Sequence, residues 1–177
     1  NIKVVGETYF INEGNYEVSL QAIDEAGNIG YGNISFQIDL TPPEITIASR
    51  LPVANKYGWN NSEVTVKYSV SDALSGVDTI VGGYEDDVVS AEGAHQSVIG
   101  NVKDKAGNSA SITESNINID KTTPVINLQP VASPTNKDVV LNYTTNDSTN
   151  VIITCDSSPY TKEGLQIITL FATDEAG

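Results

Sequence analysis

The residues best placed to do chemistry in this chain are carboxylates. The stretch "SDALSGVD" carries Asp72 and Asp78, and "YEDDVV" adds Glu85, Asp86 and Asp87. Asp39 and Asp120 open two further phrases of the form D-x-T-x-P. Calcium takes six to eight oxygen ligands, often from Asp side chains and loop carbonyls, so these segments are candidates for a cation that stiffens a loop or a joint. None has the spacing of an EF-hand loop. The competing expectation is plainer: solvated acidic loops for residues 85–87, and turn-capping carboxylates for Asp24, Asp72, Asp104, Asp120 and Asp174.

Other reactive types are scarce. His95 is the single histidine, so any Ser-His-Asp or Cys-His arrangement must be built on it. It stands in "EGAHQSV", at the start of a predicted strand beside a turn, where a surface imidazole is expected. Cys155 is the single cysteine, which excludes an intrachain disulfide and leaves a half-buried strand residue as the expectation. No HExxH, GxSxG, P-loop or GxGxxG occurs. Lys67 lies between Val66 and Tyr68 on an alternating stretch, so it points outward, away from any Asn or Asp with which a core isopeptide bond would form. Trp59 with Tyr57 offers a sugar-stacking platform, though an edge aromatic that plugs the end of a sandwich is the expected role. N-x-S/T sequons start at Asn33, Asn60, Asn142 and Asn146. No residue is assigned as catalytic, cofactor-binding or metal-ligating, and no enzyme is expected; calcium is the cation the acidic loops would suit.

The elements that hold these residues follow from composition and repetition. The chain has 177 residues with a formal charge of −14, from nine Lys+Arg against 23 Asp+Glu. Such a field repels phosphate backbones and anionic headgroups, so nucleic-acid and membrane-surface partners are not expected. No run approaches 18 apolar residues, no signal peptide is present, and there is no methionine, which suggests a piece of a longer polypeptide. Asp24, Asp104 and Asp174 open three similar phrases, "DEAGN", "DKAGN" and "DEAG". Sliding residues 1–27 along by 150 lays them on 151–177 with nine identities, among them Glu13–Gly14 on Glu163–Gly164 and Leu20 on Leu170. Two kinds of unit, about 69 and 81 residues long, therefore alternate.

Each unit reads as strands. Tyr16, Val18, Leu20 and Ala22 alternate with polar residues, as do Val98, Gly100 and Val102, and Ile168, Leu170 and Ala172. A turn with Gly27 or Gly107 follows, and a return strand runs through Ile34, Phe36 and Ile38 or through Ile117 and Ile119, giving a hairpin. Val64, Val66, Tyr68 and Val70 are expected inward in one unit, and Val139, Leu141 and Tyr143 in another. No stretch has a 3.6-residue apolar period. About seven strands in 70–80 residues is the pattern of a β-sandwich.

The run "GWNNSEVTVKYSVSDALSGV" followed by "EGAHQSVIGNVKDKAGNSASITESNINIDKTTPVI" resembles the Ig-like repeats of bacterial and archaeal surface and secreted multi-domain proteins. Residues 40–125 carry most of the resemblance; residues 121–177 carry less, through "PTNKDVVLNY" and "FATDEAG". It implies an all-β chain of tandem immunoglobulin-like β-sandwiches arranged end to end: the C-terminal part of one domain in 1–39, a complete domain in 40–120, and in 121–177 a domain lacking its last strand. Some such repeats carry a cysteine pair near SD-x-x-SG; Val70 stands where one would be. Pro42, Pro43 and Pro124 restrict the short connections, so a rod with neighbouring Ig-like modules as its partners is expected.

The implied role is a structural stalk or spacer of an extracellular, cell-surface multi-repeat protein or fibre. The alternatives are an adhesive or carbohydrate-binding accessory module that uses surface glycans, and a self-assembling filament subunit with an open sheet edge.

Overall fold

A computed structural model describes residues 3–5, 9–78, 85–155 and 163–177. Among them there is no helix, and every regular element is a β-strand. The chain is all-β, built of small antiparallel sheets of two or three strands.

The first sheet orders β1 (Lys3–Val5), β2 (Gly14–Ile23) and β3 (Ile29–Ile38) as β1-β2-β3. The β2–β3 hairpin runs in unbroken register from Gly14 opposite Ile38 to Ile23 opposite Ile29. Tyr16 lies opposite Phe36, and with Phe10 the two rings form a triangle with centroids 4.9–5.2 Å apart. Cross-strand aromatic packing of this kind is what fixes register on a half-buried face. As the alternation requires, Tyr16, Val18, Leu20 and Ala22 are half-buried.

The return strand runs through Ile34, Phe36 and Ile38 as expected, with Phe36 and Ile38 half-buried and Ile34 60% exposed. An alternating pattern selects a face, and only a second layer over that face buries it.

A second sheet orders β4 (Glu44–Leu51), β5 (Val64–Ser71) and β6 (Asp87–Val89) as β4-β5-β6. β7 (Gly93–Lys103) and β8 (Ser109–Ile119) form a hairpin. The most deeply buried apolar side chains come from these strands: Val64, Val66, Val102, Ile117 and Ile119. Val64, Val66 and Tyr68 thus face inward as expected, and Lys67 between them is exposed. Gly100 is buried because the Tyr68 ring covers it; a Cβ built there would lie 2.6 Å from a ring carbon.

Among the described residues, 40–120 contribute five strands, β4–β8, where about seven were expected. Residues 52–63 form a loop instead. Asn55 Oδ1 accepts the backbone N–H groups of Tyr57 and Trp59, and backbone bonds link Asn55 with Gly58 and Trp59. These side-chain-to-backbone bonds compete with a ladder and win locally.

The remaining strands are short. β9 (Val125–Leu128) pairs with β10 (Tyr143–Asn146), and β11 (Ile152–Cys155) pairs with β12 (Leu170–Thr173). The stretch "DVVLNYTTND" is strand only over its last part, and Val139 and Tyr143 are exposed rather than inward. β10 belongs to a sheet of only two strands, which offers little apolar cover.

By compactness the chain forms two units. One comprises Asn1–Ala48, Lys67–Asp86 and Ile99–Thr113; the other comprises Ser49–Val66, Asp87–Val98 and Glu114–Gly177. β4, β5, β7 and β8 each contribute residues to both.

Candidate functional site

The three similar phrases form one kind of turn. Asp24 Oδ1 accepts the backbone N–H groups of Ala26 and Asn28 at 2.9 and 2.8 Å, and Oδ2 accepts the Asn28 side-chain amide at 2.7 Å. Asp104 Oδ1 accepts those of Gly107 and Asn108 at 2.6 and 2.8 Å, and Oδ2 accepts the Asn108 amide at 2.8 Å. Asp174 Oδ1 accepts those of Ala176 and Gly177, both at 2.7 Å. An Asp that folds back onto the N–H groups ahead of it is a strong local turn-former. Gly27 and Gly107, with φ of 87° and 99°, supply the left-handed step that L side chains resist.

Burial separates the three. Asp24 is exposed, whereas Asp104 is 2% and Asp174 7% exposed. Around each buried turn aspartate the fold gathers two more carboxylates. In the first unit these are Asp39 and Asp72; in the second they are Asp120 and Asp147. Within each triad one carboxylate oxygen from every member lies within 4.8 Å of the others.

The triads have the same construction. Asp39 and Asp120 each follow the last residue of a long strand, Ile38 of β3 and Ile119 of β8. Asp72 directly follows β5 and Asp147 directly follows β10. Asp104 and Asp174 open the turns after β7 and β12. Strand ends thus carry all three carboxylates, and in each triad the three strands belong to three different sheets, so tertiary packing rather than strand pairing brings the ends together.

Hydrogen bonding differs between the triads. In the first, Asp39 Oδ1 accepts the Thr41 N–H at 3.1 Å and Oδ2 the Ser75 N–H at 2.9 Å. Asp72 Oδ1 accepts the Leu74 and Gly76 N–H groups at 3.1 and 2.6 Å. Asn108 ties the group together by donating its amide to the Asp39 carbonyl at 3.1 Å as well as to Asp104. The Ser75 hydroxyl first, and then the Ser75 and Thr41 N–H groups, hold the Asp39 carboxyl below the usual carboxylate range against the opposing pull of burial. That hydroxyl lies outside strict hydrogen-bond geometry, so the Ser75 N–H is the firm contact.

In the second triad, Asp120 accepts the Thr122 N–H at 3.1 Å and the Ser148 hydroxyl at 2.6 Å. Asp147 Oδ1 accepts the Thr149 N–H at 2.9 Å and its hydroxyl at 3.3 Å. Asp147 Oδ2 is buried and has no hydrogen-bond partner. Chemically, such triads can cap turns and concentrate negative charge; they offer oxygen and no nitrogen or sulfur ligand.

Of the residues singled out by sequence, Asp39, Asp72 and Asp120 enter the triads and Asp78, Glu85, Asp86 and Asp87 do not. Asp86 instead pairs with Lys67 at 2.5 Å, both partly exposed. Asp104 and Asp174 were read as turn caps; they cap turns and also join the clusters. Asp147 was missed. Its signal was the "TTND" that ends one strand phrase just as "SVSD", with Asp72, ends another.

His95 is exposed. Its N–H donates to Asn118 Oδ1 at 2.7 Å, and its ring Nδ1 is 3.4 Å from Asn116 Oδ1. Cys155 is exposed rather than half-buried because it is the last residue of a four-residue strand, beyond the half-buried Ile153 on the same side. Trp59 is half-buried, and Tyr57 is exposed with the Lys56 ammonium 4.7 Å from its ring centroid. Of the sequon asparagines, Asn60 is 4% exposed and bonded to the Pro52 carbonyl, whereas Asn33, Asn142 and Asn146 are exposed. Among the described residues no helix is long and apolar enough to cross a membrane. No protein-family model, curated protein or solved structure matches the chain.

Proposed function

We propose that this chain is a structural segment: a stalk or spacer stretch of an extracellular multi-repeat protein, made of immunoglobulin-like β-sandwich repeats in tandem. The observation that carries the reading is the recurrence of one aspartate-anchored turn at residues 24–28, 104–108 and 174–177, in which the aspartate Oδ1 each time accepts two backbone N–H groups from two to four residues ahead. A repeated template is what a polymer of modules requires, since each copy must solve the same folding problem and present the same ends to its neighbours. The all-β architecture agrees with that reading. So does the aspartate anchoring of the segments after Ile38 and Ile119, where Asp39 and Asp120 hold the next backbone N–H groups in place. A connection fixed by hydrogen bonds transmits orientation from one repeat to the next, as a flexible tether does not.

Small-angle X-ray scattering of the 177-residue chain tests this reading. An elongated pair-distance distribution with a long tail is expected. A symmetric distribution from one compact globule would remove the proposal.

A further inference from the structure

We propose that Asp120, Asp147 and Asp174 form a Ca2+ site. The three carboxylates come from separate strand ends, and their facing oxygens lie within 4.8 Å of one another. Asp120 and Asp174 are 2% and 7% exposed, so water screens their mutual repulsion poorly. Among the described residues no Lys or Arg forms an ion pair with any of them; Lys121, next in sequence to Asp120, sends its ammonium to the Ser90 carbonyl at 2.6 Å.

Independent of the clustering, Asp147 Oδ2 is buried and accepts no hydrogen bond. A buried carboxylate oxygen without a donor bears an uncompensated desolvation cost, and native proteins seldom leave one. A cation held by the three aspartates would answer both problems, neutralising charge and partnering that oxygen.

The donor set selects the ion. All three groups are hard oxygens, which suits Ca2+ or Mg2+ rather than Zn2+ or copper. Oxygens about 2.3–2.6 Å from a common Ca2+ can reach separations of this size. Mg2+ keeps most of its water and is commonly bound through one or two carboxylates, so three converging aspartates favour Ca2+.

The first triad carries no such inference. There both oxygens of Asp39 and of Asp104 already accept hydrogen bonds from the chain. The Ca2+ site stands whether or not the chain is a spacer.

The test is calcium chloride titration of the EDTA-treated 177-residue chain, followed by calorimetry and by amide NMR, with magnesium chloride as control. Saturable binding with a dissociation constant of about 0.1–1 mM, the range of extracellular modules, is expected. The amides of Thr122, Thr149, Ala176 and Gly177, which donate to the three carboxylates, should shift together, and Mg2+ should move them less. Asp147→Asn, which keeps the Oδ1 acceptor, should weaken binding at least about tenfold. Circular dichroism establishes whether the variant is folded; if it is not, the wild-type amide shifts decide the matter. The proposal is overturned if those amides stay still up to about 10 mM Ca2+. It is equally overturned if shifts are confined to residues around Asp39, Asp72 and Asp104, or if folded Asp147→Asn binds as the wild type does.

Discussion

Asp24 and Asp104 close the same kind of turn, each accepting two backbone N–H groups and the side-chain amide of the asparagine four residues on, yet one stands in solvent and the other is 2% exposed. The difference lies in what surrounds the turn. Around Asp104 the loop at residues 72–76 and the segment that follows β3 close in: Lys105 donates its N–H to the Gly76 carbonyl at 2.9 Å, and Asn108 reaches the Asp39 carbonyl. No described residue outside the turn bonds the Asp24 side chain. One local sequence therefore serves two purposes. Alone it is a turn signal, and surrounded by two more carboxylates it is a structural node.

If that contrast is sound, the largest mutational effect belongs to Asp104→Ala. It removes a 2%-exposed acceptor from the N–H groups of Gly107 and Asn108 and from the Asn108 amide, leaving Gly107 its bond to the Asp104 carbonyl and the amide its bonds to the Asp39 and Thr41 carbonyls. Buried donors stripped of a partner cost about 1–3 kcal/mol each, less whatever repulsion among the aspartates is relieved, so a loss of about 2–4 kcal/mol is expected. Urea unfolding followed by tryptophan fluorescence and circular dichroism measures it. Asp24→Ala, with the same bonds in water, should leave the global midpoint nearly unmoved while amide exchange at Asn28 accelerates. Equal losses for the two variants would erase the distinction between node and turn.

A second pair of equivalent positions sharpens the point from the apolar side. Leu20 in β2 and Gly100 in β7 occupy the same place in their hairpins, 80 residues apart. Leu20 has room to be half-buried, whereas the Tyr68 ring sits where a side chain at position 100 would go. Gly100→Ala forces that ring or the strand to move, at a cost of about 1–3 kcal/mol in thermal or urea unfolding. Leu20→Ala merely shortens a half-exposed side chain and should cost less. A neutral Gly100→Ala would show that Tyr68 can rotate away, and that the cover over β7 is loose.

These pairs also mark what could be read from the sequence. Hairpins, alternation and the buried faces of Val64, Val66, Ile117 and Ile119 follow from period two and from the turn residues, which are local quantities. Asp39, Asp72 and Asp120 were legible as cation candidates singly. The triads were not, because their members stand 33 and 32 residues apart in one unit and 27 and 27 in the other, at the ends of strands from different sheets that only the tertiary fold brings together. Asp147 carried only a weak local mark, since "TTND" shares with "SVSD" its position at the end of a strand phrase and little else. Val139 and Tyr143 are exposed for a related reason: alternation names a face, but the cover over it is a tertiary fact.

The smallest effect is the most specific to the solvent-exposed turn. The Asn28 side-chain amide, followed by the backbone N–H of Asn28, holds the Asp24 carboxyl below its ordinary value of 3.8, with burial opposing only in part. A depressed folded-state value means the carboxylate contributes stability above the unfolded value of 3.8, and that contribution fades as pH falls through the lower folded one. In an NMR titration the Asp24 carboxyl should therefore reach its midpoint below 3.8, with the Ala26 and Asn28 amides moving on the same curve. Asn28→Ala removes the leading cause and should bring the midpoint back toward 3.8 without unfolding the hairpin, whose ten-pair register does not depend on that side chain. A midpoint unchanged by Asn28→Ala would mean the backbone alone sets the turn, and that the asparagine shared by "DEAGN" and "DKAGN" matters only where Asn108 also reaches across to Asp39.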